Sequence, residues 1–171
     1  AAAVAKSLVR TIFAAEAVGG AQDCVERAVE YAKVREQFGR TIGTFQAVKH
    51  HAANMLVAAE SATATVWDAA RAARTADAEG DGAFALMAAC AATHAFSAYV
   101  HNAELNIQIH GGIGFTWEHD AHLHLRRALV LRGLFGGRDA PTAVYELTAK
   151  GVVRENSIDL PPEAEALRAQ A

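Results

Sequence analysis

The sequence predicts an all-α protein, an up-and-down four-helix bundle with a short extra C-terminal helix. Three observations carry this. Apolar residues recur at intervals of three and four over three long stretches, the signature of an amphipathic helix. Only 3 of the 171 residues are proline, so little interrupts long helices. The stretches are separated by short glycine-rich or polar segments, which make consecutive helices antiparallel neighbours. A composition that is 52% hydrophobic and 20% charged is ample for a core.

The first helix is expected over residues 4–33, with Val4, Leu8, Ile12, Ala15, Val18, Val25, Val29 and Ala32 as its stripe. Gly19-Gly20 interrupts the stripe and marks a close helix contact. Residues 34–44, "VREQFGRTIGT", lose the period and form a connection. A second helix follows over about 45–75, its inner face traced by Phe45, Val48, Ala52, Met55, Leu56, Ala59, Ala62, Val66 and Ala70. "TADAEGDG" is a polar turn. The third helix covers about 83–109 and stops at "HGGIG". The fourth starts near Thr116 or Glu118, runs into the 130s and ends at "FGGRDAP"; a short helix over about 141–150 closes the domain. No strand-rich segment is expected. Residues 1–150 form the bundle and 151–171 a tail with a Pro-Pro pair, docked loosely or frayed.

The formal net charge of −3 offers no basic stripe for nucleic acid. No run of about 18 apolar residues predicts a membrane span. The N-terminal stretch lacks the order of a secretory signal, and it lacks an initiator methionine, so the chain is expected to begin inside a longer protein. Cys24 and Cys90, each in an alanine-rich helical context, read as free thiols in a reducing, cytoplasmic setting rather than as a disulfide.

Four groups of residues have chemical potential. His119, His122 and His124 cluster in "WEHDAHLHLRR", where the first two can share a helix face. No glutamate in the chain has a histidine three residues later, so no metal site is expected and the cluster reads as a solvated or interface face. Arg35 and Phe38 in "YAKVREQFG" pair a guanidinium fork with an aromatic ring at a helix end. That suits a phosphate beside a flat ring system, but spacing alone favours an arginine offsetting the helix dipole with Phe38 packed. Thr44 is placed to cap the second helix, with Phe45 and Gln46 in its first turn, where a polar ligand group can dock. Finally, "QIHGGIGF" ends the third helix with Gln108, Ile109 and His110 before Gly111, Gly112 and Gly114. Each glycine costs a helix about 1 kcal/mol relative to alanine, so three suggest a turn where backbone approaches a ligand.

Taken together, these stretches resemble the C-terminal helical domain of acyl-CoA dehydrogenases. That family carries R-x-x-F-G after its first C-terminal helix, an F/H-Q pair shortly after, and Q-I-x-G-G-x-G-[FY] after the third. Here the matching residues are Arg35, Phe38 and Gly39, then Phe45-Gln46, then Gln108, Ile109, Gly111, Gly112, Gly114 and Phe115. The resemblance covers roughly residues 4–150. It implies a flavoprotein that takes two hydrogens from the α and β carbons of an acyl-CoA thioester, with FAD as cofactor and homo- or hetero-oligomers of such subunits as partners. By the same resemblance Arg35 meets the pyrophosphate and Phe38 packs on the cofactor. Phe45 and Gln46 line the site, and Gln108, Ile109, His110, Gly111 and Gly112 hold the adenosine part. Arg10 matches an arginine near the acyl-CoA substrate.

The resemblance breaks where the family keeps its base. A desolvated carboxylate with a raised pKa suits removal of the acidified α proton. Most members carry it in a Y-E-G-T segment, where this chain has Phe135. Others carry it in the first helix, where this chain has Val9. Neither side chain accepts a proton, so no catalytic residue is assigned. Ser7 replaces the usual aspartate three residues before Arg10, and Gly137, Arg138 and Asp139 replace the usual T-x-Q segment. Three readings follow: a base-lacking subunit that completes an FAD site in a heteromer, a homomeric enzyme with another base, or a helical interaction module.

Overall fold

A computed structural model describes residues 2–74, 76, 82–136 and 138–154 of the chain. The expected bundle is there: α1 (Ala2–Val34), α2 (Gln46–Ala73), α3 (Gly82–His110), α4 (Ala121–Leu131) and α5 (Asp139–Ala149). α3 is the axis, and each of the other four packs against it. Its sequence explains that position, because Glu104 is its only Asp, Glu, Lys or Arg. An 18-residue window within it has a mean hydropathy of 1.5, but 67% of that window is buried inside the bundle, as befits a core helix. The polar turn expected at 75–82 lies almost wholly outside the described residues, and the tail beyond Arg154 lies outside them entirely.

The core is built from alanine. Ala14, Ala17, Ala21 and Ala28 of α1, Ala59 and Ala62 of α2, and Ala91, Ala92 and Ala95 of α3 are fully buried in one core cluster. Small side chains bring helix axes together toward the short end of the usual 8–10 Å spacing. Gly20 is the limiting case, since a Cβ there would lie 2.3 Å from Cζ of Tyr99. Gly19 meets nothing within 4 Å, so only the second glycine of the pair makes the close contact.

This alanine core corrects the expected inner face of α1. The buried stripe is Ser7, Arg10, Thr11, Ala14, Ala17, Val18 and Ala21, while Leu8 and Ile12 stay 42% and 63% exposed. Val18 and Ala32 of the expected stripe are buried and Val4, Val25 and Val29 half-buried, but Leu8, Ile12 and Ala15 face outward while Ala14, Ala17 and Ala21 take the inner positions. On α2 the expected Met55, Ala59 and Ala62 are buried, but Leu56 is exposed and Ala69 replaces Ala70 in the core.

The α1–α2 connection holds the only strands among the described residues, a hairpin pairing Glu36 with Thr41 and Gln37 with Arg40. Its two-residue turn is Phe38-Gly39, with φ of 56° and 78°. Positive φ at both central positions matches the twist of a tight hairpin and normally calls for Asn-Gly. A phenylalanine there is strained. A 3₁₀ turn, Ile42–Thr44, then leads into α2. Thr44 does not cap α2: its hydroxyl donates to the Thr41 carbonyl at 2.6 Å, and Phe45 occupies the cap position with no side-chain hydrogen bond.

α4 begins at Ala121, later than expected, because a 3₁₀ turn (Ile113–Phe115) and further turns occupy the intervening residues. His119 therefore lies outside the helix and shares no helical face with His122. Its Nδ1 instead accepts the Ala121 N–H at 3.1 Å, serving the cap. α4 ends in a wide π turn, Arg132–Gly136, before α5. Gly136 fits there because a Cβ would come within 2.4 Å of the Phe96 ring.

Candidate functional site

Two regions at opposite ends of α1 collect almost all the residues singled out by sequence. Arg10 and Arg35 are separated by roughly 37 Å of helix rise.

The first region lies where α1 ends and α3 stops. Two adjoining clefts share Gln37, Ile42 and Ile109. One, of about 320 Å³, is lined by Tyr31 and Arg35 on one side and by His110, Gly111 and Gly112 on the other. Its neighbour, about 340 Å³, is lined by Phe38, Phe45, His51 and Gln108. The chain thus brings together eight of the nine expected cofactor residues. Gln46 is the exception, exposed and hydrogen-bonded to Nε2 of His50 at 3.0 Å.

The three glycines of the turn have three separate causes. Gly111 has φ +63°, the left-handed conformation that ends a helix. Gly114 is required by packing, since a Cβ would sit 2.8 Å from His110 Cβ and from the Ile107 carbonyl oxygen. Gly112 has neither reason: its φ is −54° and nothing lies within 4 Å of where its Cβ would be. Open space on the cleft wall at Gly112 suits a ligand that comes close to the backbone.

His110 is packed more deeply than a ligand-contacting residue needs. It is 5% exposed, stacked on Tyr31 at 4.4 Å and met by the His119 ring at 4.3 Å, tilted by 45°. Its Nδ1 lies 2.8 Å from the Asn106 carbonyl, which only accepts, so Nδ1 carries the proton and donates. Burial pulls its pKa below the usual histidine value, against the opposing pull of that hydrogen bond. The ring orients the turn. Phe38, by contrast, is 91% exposed and meets Phe45 edge-on at 6.1 Å. The guanidinium of Arg40 covers the Phe45 ring at 4.0 Å. The sequence reading missed Tyr31 and Arg40; Tyr31, one helical turn before Arg35, could have been found from that spacing.

The second region is a cleft of about 270 Å³ between the first turns of α1 and the π turn. Val9 and Phe135, the two positions where a base was sought, both line it, together with Arg10, Lys6, Arg138 and Asp139. Phe135 is held by a parallel stack on Phe13, with centroids 4.0 Å apart and planes 8° apart. Arg10 is 6% exposed, and its Nε and one terminal nitrogen are buried without an acceptor among the described residues. Burial lowers its pKa, and the nearby Asp139 carboxylate opposes that. Asp139 itself is 77% exposed and pairs with Lys6 at 3.4 Å.

The histidine cluster has structural employment. His124 bridges Asp23 (Nε2 to Oδ2, 3.0 Å) and the Tyr99 hydroxyl (3.1 Å), and burial pulls its pKa down. The Tyr99 phenol is pushed up to about 12, first by burial. His122 packs against Trp117 at 4.7 Å. Among the described residues no three His, Cys, Asp or Glu side chains come together to hold a metal. Cys24 and Cys90 are free thiols, and burial pushes Cys24 up to about 12.

The family model for the acyl-CoA dehydrogenase C-terminal domain matches residues 6–141. The chain belongs to the acyl-CoA dehydrogenase family. Acyl-CoA dehydrogenase FadE34 of Mycobacterium tuberculosis is 50% identical over 157 residues, covering 91% of this chain and 22% of that protein. Acyl-CoA dehydrogenase IpdE2 of the same organism is 45% identical over 117 residues, 68% of this chain and 34% of that protein. Among solved structures, the ChsE4–ChsE5 complex from M. tuberculosis superposes with a TM-score of 0.77 at 25% identity, over 86% of this chain and 39% of the matched one. The chain therefore spans between about a fifth and two fifths of the length of these acyl-CoA dehydrogenases.

Proposed function

We propose that this chain is the FAD-binding, oligomer-forming bundle of a protein that carries out α,β-dehydrogenation of acyl-CoA thioesters, and that it supplies no base for that reaction. One observation carries the second half. The two positions at which the resemblance looks for a carboxylate converge on one cleft, and both are hydrocarbon, Val9 and Phe135. The base then comes from a partner acyl-CoA dehydrogenase subunit.

The cofactor half rests on the first region. Arg35 faces the open backbone of Gly112 across one cleft, so a diphosphate held by the guanidinium fork would lie against free glycine backbone. Gln108, Phe38 and Phe45 line the adjoining space, suited to the adenosine part of FAD. When bound, FAD supplies the acceptor for the two hydrogens removed. Arg10, at the other end of α1, is the residue assigned to the acyl-CoA. Two unpaired thiols suit a cytoplasmic setting.

The test is the visible absorption spectrum of the full-length protein, purified alone and together with candidate partner subunits. The proposal expects a stable flavin band only in the mixture, and an Arg35→Met variant that loses it. Flavin retained and turnover seen with the homomer alone would overturn it. A second reading has one observation in its favour: Asp139 lines the same cleft as Arg10. It makes the homomer a complete enzyme with Asp139 as base. Against it stand the exposure of that carboxylate and its pairing with Lys6. Acyl-CoA turnover by the homomer that disappears in Asp139→Asn would decide for it.

A further inference from the structure

We infer that the core of the bundle holds a binding site for ordered water between Asn102 and Asn106 of α3. The inference rests on how three helices meet and stands whether or not the first region holds FAD.

Asn102 fixes the geometry. Its side chain is fully buried, and its Nδ2 donates to the carbonyls of Ala21 on α1 and Met55 on α2, each at 3.0 Å. Both N–H groups of the amide are thus spent on neighbouring helices. Turning the amide over would aim its oxygen at two carbonyls, so the orientation is set. Its Oδ1 is then buried with no donor among the described residues. Asn106, one turn further along α3, is also fully buried, and neither its Oδ1 nor its Nδ2 meets a partner among them. Turning that amide only exchanges the two needs. Buried amide groups are nearly always hydrogen-bonded, because an orphaned donor or acceptor forfeits its hydration.

The surroundings are small and offer little competition. Asn102 stands level with Ala21 of α1, and His110 stands level with Tyr31. Asn106 falls between those levels, where the buried residues of α1 are Cys24 and Ala28. Alanine has no hydrogen-bonding group, and a thiol is only a weak donor. Whatever fills the site must donate to two oxygens and accept from one nitrogen. A cation satisfies only the oxygens, and an anion only the nitrogen. Among the described residues no three His, Cys, Asp or Glu side chains gather to hold a cation. Water supplies both donors and acceptors in the smallest volume. One molecule accepts from Asn106 Nδ2 and donates to Asn102 Oδ1; another donates to Asn106 Oδ1. The backbone carbonyl of Asn106 accepts from His110 Nδ1 at 2.8 Å, so the hydrated pair lies one turn beneath the glycine turn and ties it to the three-helix clamp at Asn102.

The test is a high-resolution crystal structure of the intact protein, read together with chemical denaturation of two variants. Water is expected at hydrogen-bond distance from both Asn102 Oδ1 and Asn106 Nδ2; well-ordered amides with no water between them overturn the proposal. Asn106→Val should lower the folding equilibrium constant by about tenfold, because it displaces the bridging molecule and leaves Asn102 Oδ1 bare. An Asn106→Val protein as stable as wild type, or more so, overturns the proposal, since removing orphaned polar groups from a dry core is neutral or stabilising. Asn106→Ala leaves the room in place, and its crystal structure should keep water bonded to Asn102 Oδ1. A dry, collapsed site in that variant counts against the proposal equally. If Asn106→Val does not fold, the wild-type density and Asn106→Ala decide.

Discussion

The two ends of α1 have been treated differently. At the Arg35 end the chain keeps costly features that its own packing does not explain: a phenylalanine at positive φ, 91% exposed, and a glycine facing open space. At the Arg10 end it has filled the central positions with hydrocarbon and stacked Phe135 on Phe13. Strain and unsatisfied surface persist where something outside the chain repays them. On the proposed reading, the holding and reacting halves of one site lie several turns apart on α1, so one can change without the other.

The contrast can be attacked by mutation, starting with the largest expected effect. Arg35→Met should cost flavin retention in the assembled protein by about 1.5–3 kcal/mol, read from cofactor dissociation, while the melting temperature barely moves because the side chain is exposed. A large loss of fold stability would instead make Arg35 a structural residue and erase the distinction. Gly114→Ala should destabilise the fold by about 1–3 kcal/mol in chemical denaturation, through its clash with backbone. Gly112→Ala should cost well under 1 kcal/mol of stability yet weaken flavin retention, and equal behaviour of the two would refute separate roles within the turn. Phe38→Gly should stabilise the hairpin by up to about 1 kcal/mol by relieving the left-handed strain, at the expense of cofactor affinity.

The smallest effect is on pH. His110 and His124 both have folded pKa values below the ordinary histidine value, burial being the first cause of each. Below about pH 6.5 the unfolded chain therefore binds more protons than the folded one. Their contribution is present above that pH and is lost as pH falls. Denaturation midpoints should drop between about pH 7 and pH 5, and His110→Asn should flatten the slope.

Much of this was legible in the sequence, for identifiable reasons. The ends of α1, α2 and α3 lie within a few residues of expectation because glycine and polar breaks there coincide with real chain reversals. The glycine turn and Arg35 meet in one cleft because both are terminal features of neighbouring helices. What periodicity gave only in part was which side of α1 faces inward, since Val18 and Ala32 are buried as expected but the N-terminal half of the stripe is not. Alanine carries little weight in a hydrophobic stripe, yet buried Ala14, Ala17 and Ala21 decide the packing, and Leu8 and Ile12 point away. The hairpin escaped notice because Phe-Gly is not the pair that turn chemistry favours. The late start of α4 escaped because His119, rather than a serine or aspartate, meets the first N–H of the helix.

The packing of α1 has a consequence for handling the molecule. A helix with Ala14, Ala17 and Ala21 sealed inside and Leu8 and Ile12 wetted has solubility that depends on company. Beside it, Trp67 of α2 is 72% exposed, and Val18, Val66 and Trp67 line the same shallow groove between the two helices. Such a surface lowers its free energy whenever it leaves water, at about 25 cal/mol for each Å² covered. Expressed without its neighbours, the chain should show light scattering that rises steeply with concentration, and the titre of well-behaved protein should track how completely that groove is covered.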